Sequence, residues 1–371
     1  MNSPNPTGRK ADGHRRLLWI VNHKTLMDAE VPIFQDLGFS VFIPKRVPND
    51  PGYRSAKIDY QYDNELELPP AALAILNEHH FYTSPWSPTL SLIINRYFDA
   101  LVSSVSGYTT PIFEAIDRFE GLIVARVFGR ENPARYTSFF SDWQLDAIKT
   151  LDHRFLLGQG FGNLAHIEDG RLAARAKTIP LAIPQMIWER SDTWTGKQTT
   201  ALLLCPNIMD SPYYRNVYEA LKDSFGHLPH VIMGRQNIRP TDPAVLPYMT
   251  DGELLDLYSR VSVFVYPSTE PRHVHYSPIE AMIVGCPVLY LRGGLLDFLA
   301  AQAFPGCCED VEDMQEKASR LLGGDKVLSD AIRESQHAIV DTFSTSESRL
   351  KWQEALASIR AKPTLADVAF G

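Results

Sequence analysis

Short apolar runs of strand length alternate with amphipathic helical stretches along most of the chain, and this alternation constrains the fold more than any single residue. Residues 16–21 (RLLWIV) read as a strand, 27–37 as a helix with Val31, Ile33, Phe34 and Leu37 on its apolar side, and 40–44 (SVFIP) as a second strand. Gly38 stops the helix between them. Strand, helix and strand in about 30 residues make a βαβ unit, which builds parallel sheets. The pattern recurs with strands at 99–103, 122–128 and 155–157. Thr110 as N-cap and Pro111 as first helical residue open a helix that runs to 119. Residues 177–194 contain Pro180 and Pro184 and read as a last strand running into a linker. The alternation then restarts, with strands at 200–205, 230–233, 261–266 and 287–291 and helices at 213–225, 253–260 and 277–284.

Two successive α/β domains follow from this periodicity, and the length of 371 residues accommodates both. The expected layout is a disordered lead-in over 1–14, a first domain over 15–190 and a second over 191–345. A helical pattern over 346–359, with Trp352, Ala355, Leu356 and Ile359 on one stripe, leads into a tail ending at 371.

Composition removes several function classes. The formal net charge is −8 and no basic stripe stands out, so nucleic acid is not an expected partner. No window approaches the ~18 apolar residues of a spanning helix, and the polar first residues lack the apolar core of a signal peptide. Cys205, Cys286, Cys307 and Cys308 lack CxxC spacing and read as buried small apolar residues suited to a reducing cytoplasm. The expected location is cytoplasmic, with peripheral contact at the inner face of a membrane left open. No G-x-G-x-x-G follows either opening strand, which disfavours a dinucleotide dehydrogenase.

The segment with most chemistry runs from Tyr266 to Met282, from a strand through a loop into a helix. Open α/β sheets bind ligands beyond the carboxyl ends of their strands, and a helix N-terminus there offers N–H groups to phosphate. Arg272, His273 and His275 lie in the approach loop as sources of positive charge. Glu280 is placed to accept two ribose hydroxyls, although Ser277-Pro278-Ile279-Glu280 also reads as a capping box with Ser277 as N-cap. His273-x-His275 has metal-ligand spacing but no third ligand, so neither metal nor cofactor is expected.

Residues 250–291 resemble the C-terminal signature of GT-B-fold glycosyltransferases, especially the retaining family 4. The likeness rests on Gly252-Glu-Leu-Leu-Asp-Leu-Tyr258, then Val263-Phe-Val-Tyr-Pro-Ser268, Glu280-Ala-Met282 and Gly285-Cys-Pro-Val288, in that order. The resemblance implies two Rossmann-like domains facing a cleft, with the C-terminal helix crossing back to the N-terminal domain. It also implies a nucleotide-sugar donor on the C-terminal domain and a glycan or glycolipid acceptor on the N-terminal one. Glu280 matches the second glutamate of the family pair, which holds the donor ribose. The first lies eight positions earlier, where this chain has Arg272; Glu270 is two residues too early. The family's Gly-rich loop is replaced by His273–Ser277, which brings in Tyr276, and its phosphate-binding Arg and Lys by Cys205–Asp210, which brings in Asn207. Arg235 is a further candidate cation, and Tyr248 falls where the family contacts the base. A donor with one phosphate, such as a CMP-sugar, therefore stays open.

On the acceptor side, Asn22, His23 and Lys24 follow the first strand, with Asp28 and Glu30 just into the next helix. Ser106, Gly107 and Tyr108 follow the strand at 99–103, and Glu131 follows that at 122–128. A general base would come from this set in an inverting enzyme. The family's usual work points to bacterial surface polysaccharide synthesis. A nucleotide-sugar epimerase of the same fold and a non-catalytic nucleotide- or sugar-binding subunit are the alternatives, the latter motivated by the missing glutamate.

Overall fold

The computed structural model describes residues 14–48, 56–300, 302–357 and 359. Most of the expected lead-in and nearly all of the tail lie outside that range. The chain divides into two compact units. The first takes residues up to Gly129, Pro133–Ala182 and Thr345 onward, and the second Arg130–Asn132 and Ile183–Ser344. The main division thus falls at 182/183 rather than 190/191.

The first unit is built on β1 (Arg15–Ile20), β2 (Phe39–Phe42), β3 (Ala100–Ser104), β4 (Leu122–Val127), β5 (Phe155–Gln159) and β6 (Ala176–Thr178). They form one parallel sheet in the order β2-β1-β3-β4-β5-β6. Its inner strands are covered on both faces, which is why they read as continuous apolar runs: Leu17, Leu18, Trp19 and Ile20 are wholly buried. Of the stretch 177–194, only Thr178 and its neighbours pair as strand, because Pro180 and Pro184 supply no ladder N–H. The helix Gln185–Trp188 follows instead.

Two helix starts differ from the sequence reading. The helix Lys24–Asp36 begins earlier because the His23 ring nitrogen caps it, accepting from the Leu26 N–H. The helix Thr110–Arg118 begins one residue early, with Thr109 as N-cap.

The final helix, Thr345–Leu356, belongs to the first unit. Trp352, wholly buried, lies edge-on to Phe34 at 4.7 Å and under the Arg126 guanidinium at 5.4 Å, and the Ser348 hydroxyl donates to the Pro180 carbonyl at 3.0 Å. Ile359 falls beyond the helix end. Beneath it Arg126 and Glu30, each with a wholly buried side chain, pair at 2.8 Å. Glu30 also accepts from the Trp19 indole. It is therefore a core ion-pair partner, not an accessible base.

The second unit carries β7 (Gln198–Leu204), β8 (His230–Met233), β9 (Val261–Tyr266), β10 (Val288–Leu291) and β11 (Cys307–Cys308), parallel in the order β11-β10-β9-β7-β8. Its core joins Leu203, Val263, Val265 and Leu289 from the sheet to Leu221, Phe225, Met314 and Ile332 from the helices. All four cysteines are free and buried. In the helix Asp251–Arg260, Leu255, Leu257 and Tyr258 form the buried face. Both sheets follow the doubly wound plan, in which the first strand has its sequence successor on one side and the third strand on the other. That reversal opens a crevice at the carboxyl ends of β1 and β3, and another at those of β7 and β9.

Candidate functional site

In the second unit the candidate residues gather at the β7/β9 reversal. The chain leaves β7 through Cys205, Pro206 and Asn207, and Asn207 adopts a left-handed φ of 49°. Its N–H donates to the Arg235 carbonyl at 2.9 Å, joining the loop after β7 to the loop after β8. Gly234 makes this approach feasible: its φ is 128°, and a Cβ there would stand 2.7 Å from the Pro206 nitrogen. Asn207 Oδ1 is buried without a hydrogen-bond partner among the described residues, while the Arg235 side chain is exposed.

Beyond β9, the helix Tyr276–Val284 starts at the crevice with His275 as N-cap, whose side chain makes no capping hydrogen bond. The expected capping box is absent. Ser277 lies inside the helix and Glu280 is too far along it to reach back to the N-cap, so the carboxylate takes another partner. Glu280 is 4% exposed, and its Oε2 accepts from the Tyr258 hydroxyl at 3.1 Å. Tyr258 comes from the helix Asp251–Arg260, where Thr250 and Glu253 do form a capping box. The short helix of the sequence signature thus supplies the hydroxyl that orients the glutamate of the next one.

The loop between β9 and this helix folds onto the first turn of the helix Pro212–Phe225. Tyr214 Oη lies 3.2 Å from His275 Nε2, and Tyr266 Oη lies 3.1 Å from Nδ1. Tyr266 Oη also accepts the His275 backbone N–H at 3.3 Å. Both ring nitrogens are thus engaged in a tyrosine–histidine–tyrosine chain across the reversal. Burial pushes the Tyr266 phenol up to about 12, and the charges of Glu270 and Glu131 add to the shift. The His273 ring packs 4.9 Å from His275. Burial lowers its pKa, with Glu131 and Glu270 opposing, so at neutral pH its imidazole is uncharged. His273 is therefore not the standing cation suggested by its residue type, and that role falls to Arg272.

Glu270 is fixed through main chain and side chain. Its N–H donates to Ser268 Oγ and its carbonyl accepts from the Leu295 N–H at 2.9 Å. Gly294 allows that neighbouring turn in, since a Cβ there would stand 2.5 Å from the Ser268 carbonyl. Oε1 of Glu270 accepts from the Tyr213 hydroxyl at 3.2 Å and Oε2 from the Asn132 N–H at 2.7 Å. Arg272, 7% exposed, donates to Asn132 Oδ1 at 2.9 Å. Asn132, in the short stretch that groups with this unit, is held through both its backbone and its side chain.

Glu270, Arg272, His273 and His275 therefore form one cluster, with Tyr276 and Ser277 opening the adjoining helix. Tyr248 is 77% exposed, and among the described residues no hydrogen bond or ring contact ties it to the cluster. Tyr213, Tyr214 and Asn132 were not singled out as site residues from sequence, and Tyr258 entered only as the last residue of the Gly252–Tyr258 run. The one available signal was the Tyr-Tyr pair in the first turn after β7, the first strand of its sheet.

In the first unit, Asn22, His23 and Lys24 follow β1, and Tyr108 follows β3 at the corresponding reversal. Asn22 Oδ1 accepts from the Ala56 N–H at 3.0 Å, and His23 is a helix cap. Asp28 pairs with Lys57 at 2.8 Å. Tyr108 packs edge-on to Tyr82, with ring centres 6.0 Å apart.

No protein-family model matches the chain, and neither does any curated protein sequence. Solved structures do match its fold. A glycosyltransferase from Rickettsia africae superimposes with a TM-score of 0.61 at 13% identity, covering 95% of this chain and 100% of that one. Anabaena HepE, solved in complex with UDP and glucose, gives 0.59 at 14% identity over 93% of this chain and 100% of its own. The sucrose-phosphate synthase of Thermosynechococcus elongatus gives 0.59 at 14% identity over 94% and 100%. The fold is that of the GT-B glycosyltransferases: two Rossmann-like units, with the C-terminal helix returned to the first.

Proposed function

We propose that the chain is a glycosyltransferase that binds a nucleotide-sugar in its second unit and passes the sugar to a glycan or glycolipid acceptor. The observation that carries this reading is the β7/β9 reversal. There a helix whose N-cap side chain, His275, is turned to two tyrosines follows a loop with a buried guanidinium, and a buried carboxylate, Glu280, is oriented by a phenol. The helix N-terminus and Arg272 supply the positive potential for the anionic handle, and Glu280 is the acceptor group for ribose hydroxyls. Asn207 and Arg235, joined through the main chain, border the same crevice, and Tyr248 offers an exposed ring for the base. During transfer, cations fixed beside the leaving phosphate stabilise its developing charge without reorganising.

The HepE structure with UDP and glucose supports this class of donor by likeness of fold. A role in bacterial surface polysaccharide synthesis, at the cytoplasmic face of a membrane, is the biological setting we propose. Among the described residues, no helix is long and apolar enough to cross one.

The test is a thermal-shift screen against UDP, GDP, dTDP and CMP, which also distinguishes one- from two-phosphate donors. A nucleotide at ~100 times its dissociation constant adds about 2.7 kcal/mol of apparent stability. Glu280→Ala should lose that shift while remaining folded. Failure of all four nucleotides to stabilise the wild type would remove the reading. Donor consumption without any acceptor product would favour the epimerase, and binding without turnover the non-catalytic subunit.

A further inference from the structure

Among the carboxylates that follow the first unit's strands, the geometry singles out Glu131. Glu30 is locked in the core against Arg126 and Asp28 is paired with Lys57. Glu131 is half-buried and, among the described residues, has no hydrogen-bond or ion-pair partner of its own. Its position is nevertheless defined, because Asn132, the next residue, is gripped from two directions. The backbone N–H of Asn132 is held by Glu270 Oε2 at 2.7 Å, and its side-chain oxygen by the Arg272 guanidinium at 2.9 Å. Tyr213 closes on the other oxygen of Glu270 at 3.2 Å. These bonds hold Asn132 at an otherwise exposed position. They place the Glu131 carboxylate where its charge is felt by Tyr213, Tyr214, Tyr266 and His273, the side chains that line the loop before the Glu280 helix.

We propose that Glu131 is the proton acceptor of the transfer step and that Asn132 is the positioning residue that holds it in place. The inference rests on the glycosyltransferase reading and assigns it a base. In that step the acceptor O–H proton passes to the Glu131 carboxylate while the acceptor oxygen bonds to the anomeric carbon. The bond from that carbon to the donor phosphate oxygen breaks, and its electron pair leaves with the nucleotide. A single displacement of this kind inverts the anomeric carbon, in contrast to the retaining family that the sequence signature resembles. The two glutamates then divide the work. Glu270, bonded through both oxygens, is a clamp, and Glu131, with no bond of its own, has oxygens open to a proton.

The experiment uses the full chain, UDP-, GDP- and dTDP-α-D-glucose as donors, and water or glycerol as acceptor. Nucleotide release and the anomer first formed are read by proton NMR, and nucleotide affinity separately by calorimetry. Glu131→Gln should lower kcat by about 10²-fold or more with nucleotide affinity unchanged, and the wild-type product should be the β-anomer. Asn132→Leu, which removes the acceptor for Arg272, should lower kcat by about 10²-fold, and Asn132→Asp, which keeps an oxygen there, should restore most of it. A fully active Glu131→Gln, or a retained α-anomer, overturns the assignment while leaving the donor site standing. Nucleotide binding by the wild type without any turnover overturns it too. If no nucleotide binds at all, the glycosyltransferase reading falls first.

Discussion

Replacing Arg126 by methionine should be among the most damaging single changes in the first unit, and the structure sets its size. The guanidinium is wholly buried and donates to Glu30 Oε1 at 2.8 Å and to the carbonyls of Gly158 at 3.1 Å, Ile179 at 2.7 Å and Pro180 at 3.2 Å. Methionine fills much of the volume but offers none of these donors. The Glu30 carboxylate, wholly buried, then keeps only the Trp19 indole N–H at 3.4 Å. Breaking a buried pair from one side costs about 3–5 kcal/mol. The three carbonyls that also lose a donor put Arg126→Met in the upper part of that range, a large share of an ordinary domain's stability. Removing both charges should cost less, because the desolvation of two ions disappears with their attraction. Arg126→Met with Glu30→Leu still leaves the three carbonyls without this donor and the Trp19 indole N–H without its acceptor, so it is expected to recover about half of the loss rather than all of it. Urea unfolding at pH 7 measures this, with tryptophan fluorescence following the first unit through Trp19 and Trp352. A single variant costing under about 1 kcal/mol, or a double variant as unstable as the single, would refute the assignment of Glu30 as a core partner.

Two further outcomes follow from the second unit and from the histidines. Gly234→Ala forces a side chain into a φ of 128° and a Cβ to 2.7 Å from the Pro206 nitrogen. It should cost about 1–3 kcal/mol and weaken nucleotide binding; a melting temperature and UDP isotherm like those of the wild type would show that these loops do not need the close approach. His79 and His273 both have lowered pKa values, chiefly from burial, so below the unfolded-state value of about 6.5 the unfolded chain takes up protons that the native one refuses. Stability should therefore be full above that pH and decline as pH falls through about 6.5 toward 5, before carboxylates near their ordinary range titrate. Urea midpoints at pH 7 and 5 check this, and a midpoint that does not move, or that falls equally in a His79→Phe, His273→Asn double variant, contradicts it.

Much of the fold is legible in the sequence because a strand covered on both faces must be apolar throughout. The runs at 16–21, 122–128, 230–233 and 261–266 appear as strands with ends displaced by a residue at most. The displacements have local causes, such as the His23 cap, which pulls a helix start forward without altering any apolar spacing. Not every element is read: the helices Val311–Leu322 and Lys326–Val340 go unassigned although both are long, and the shortest strand has almost no local pattern. β11 is only Cys307–Cys308, and its strand character comes from pairing with Tyr290 and Leu291, which no local pattern reports.

The candidate site is legible only where its parts are close in the chain. The 266–282 segment announces itself because strand, loop and helix follow one another, and Glu280 is recognisable by its place in that run. What the local pattern obscures is the role of each polar group. Ser277-Pro278-Ile279-Glu280 has the spacing of a capping box, yet the N-cap lies two residues earlier, at His275, and the carboxylate turns to Tyr258, a residue 22 positions away. Glu270 has the residue type of a family catalytic carboxylate, yet both oxygens serve Tyr213 and Asn132, 57 and 138 positions away. Sequence spacing does not encode such pairings, because they depend on which strand ends the sheet order brings together. The β7/β9 reversal decides that Tyr214 meets His275. The grouping of residues 130–132 with the second unit decides that a carboxylate following β4 stands among the side chains of the β9 loop. A base inferred from sequence could therefore be narrowed only to a set, and it is the clamp on Asn132 that reduces the set to Glu131.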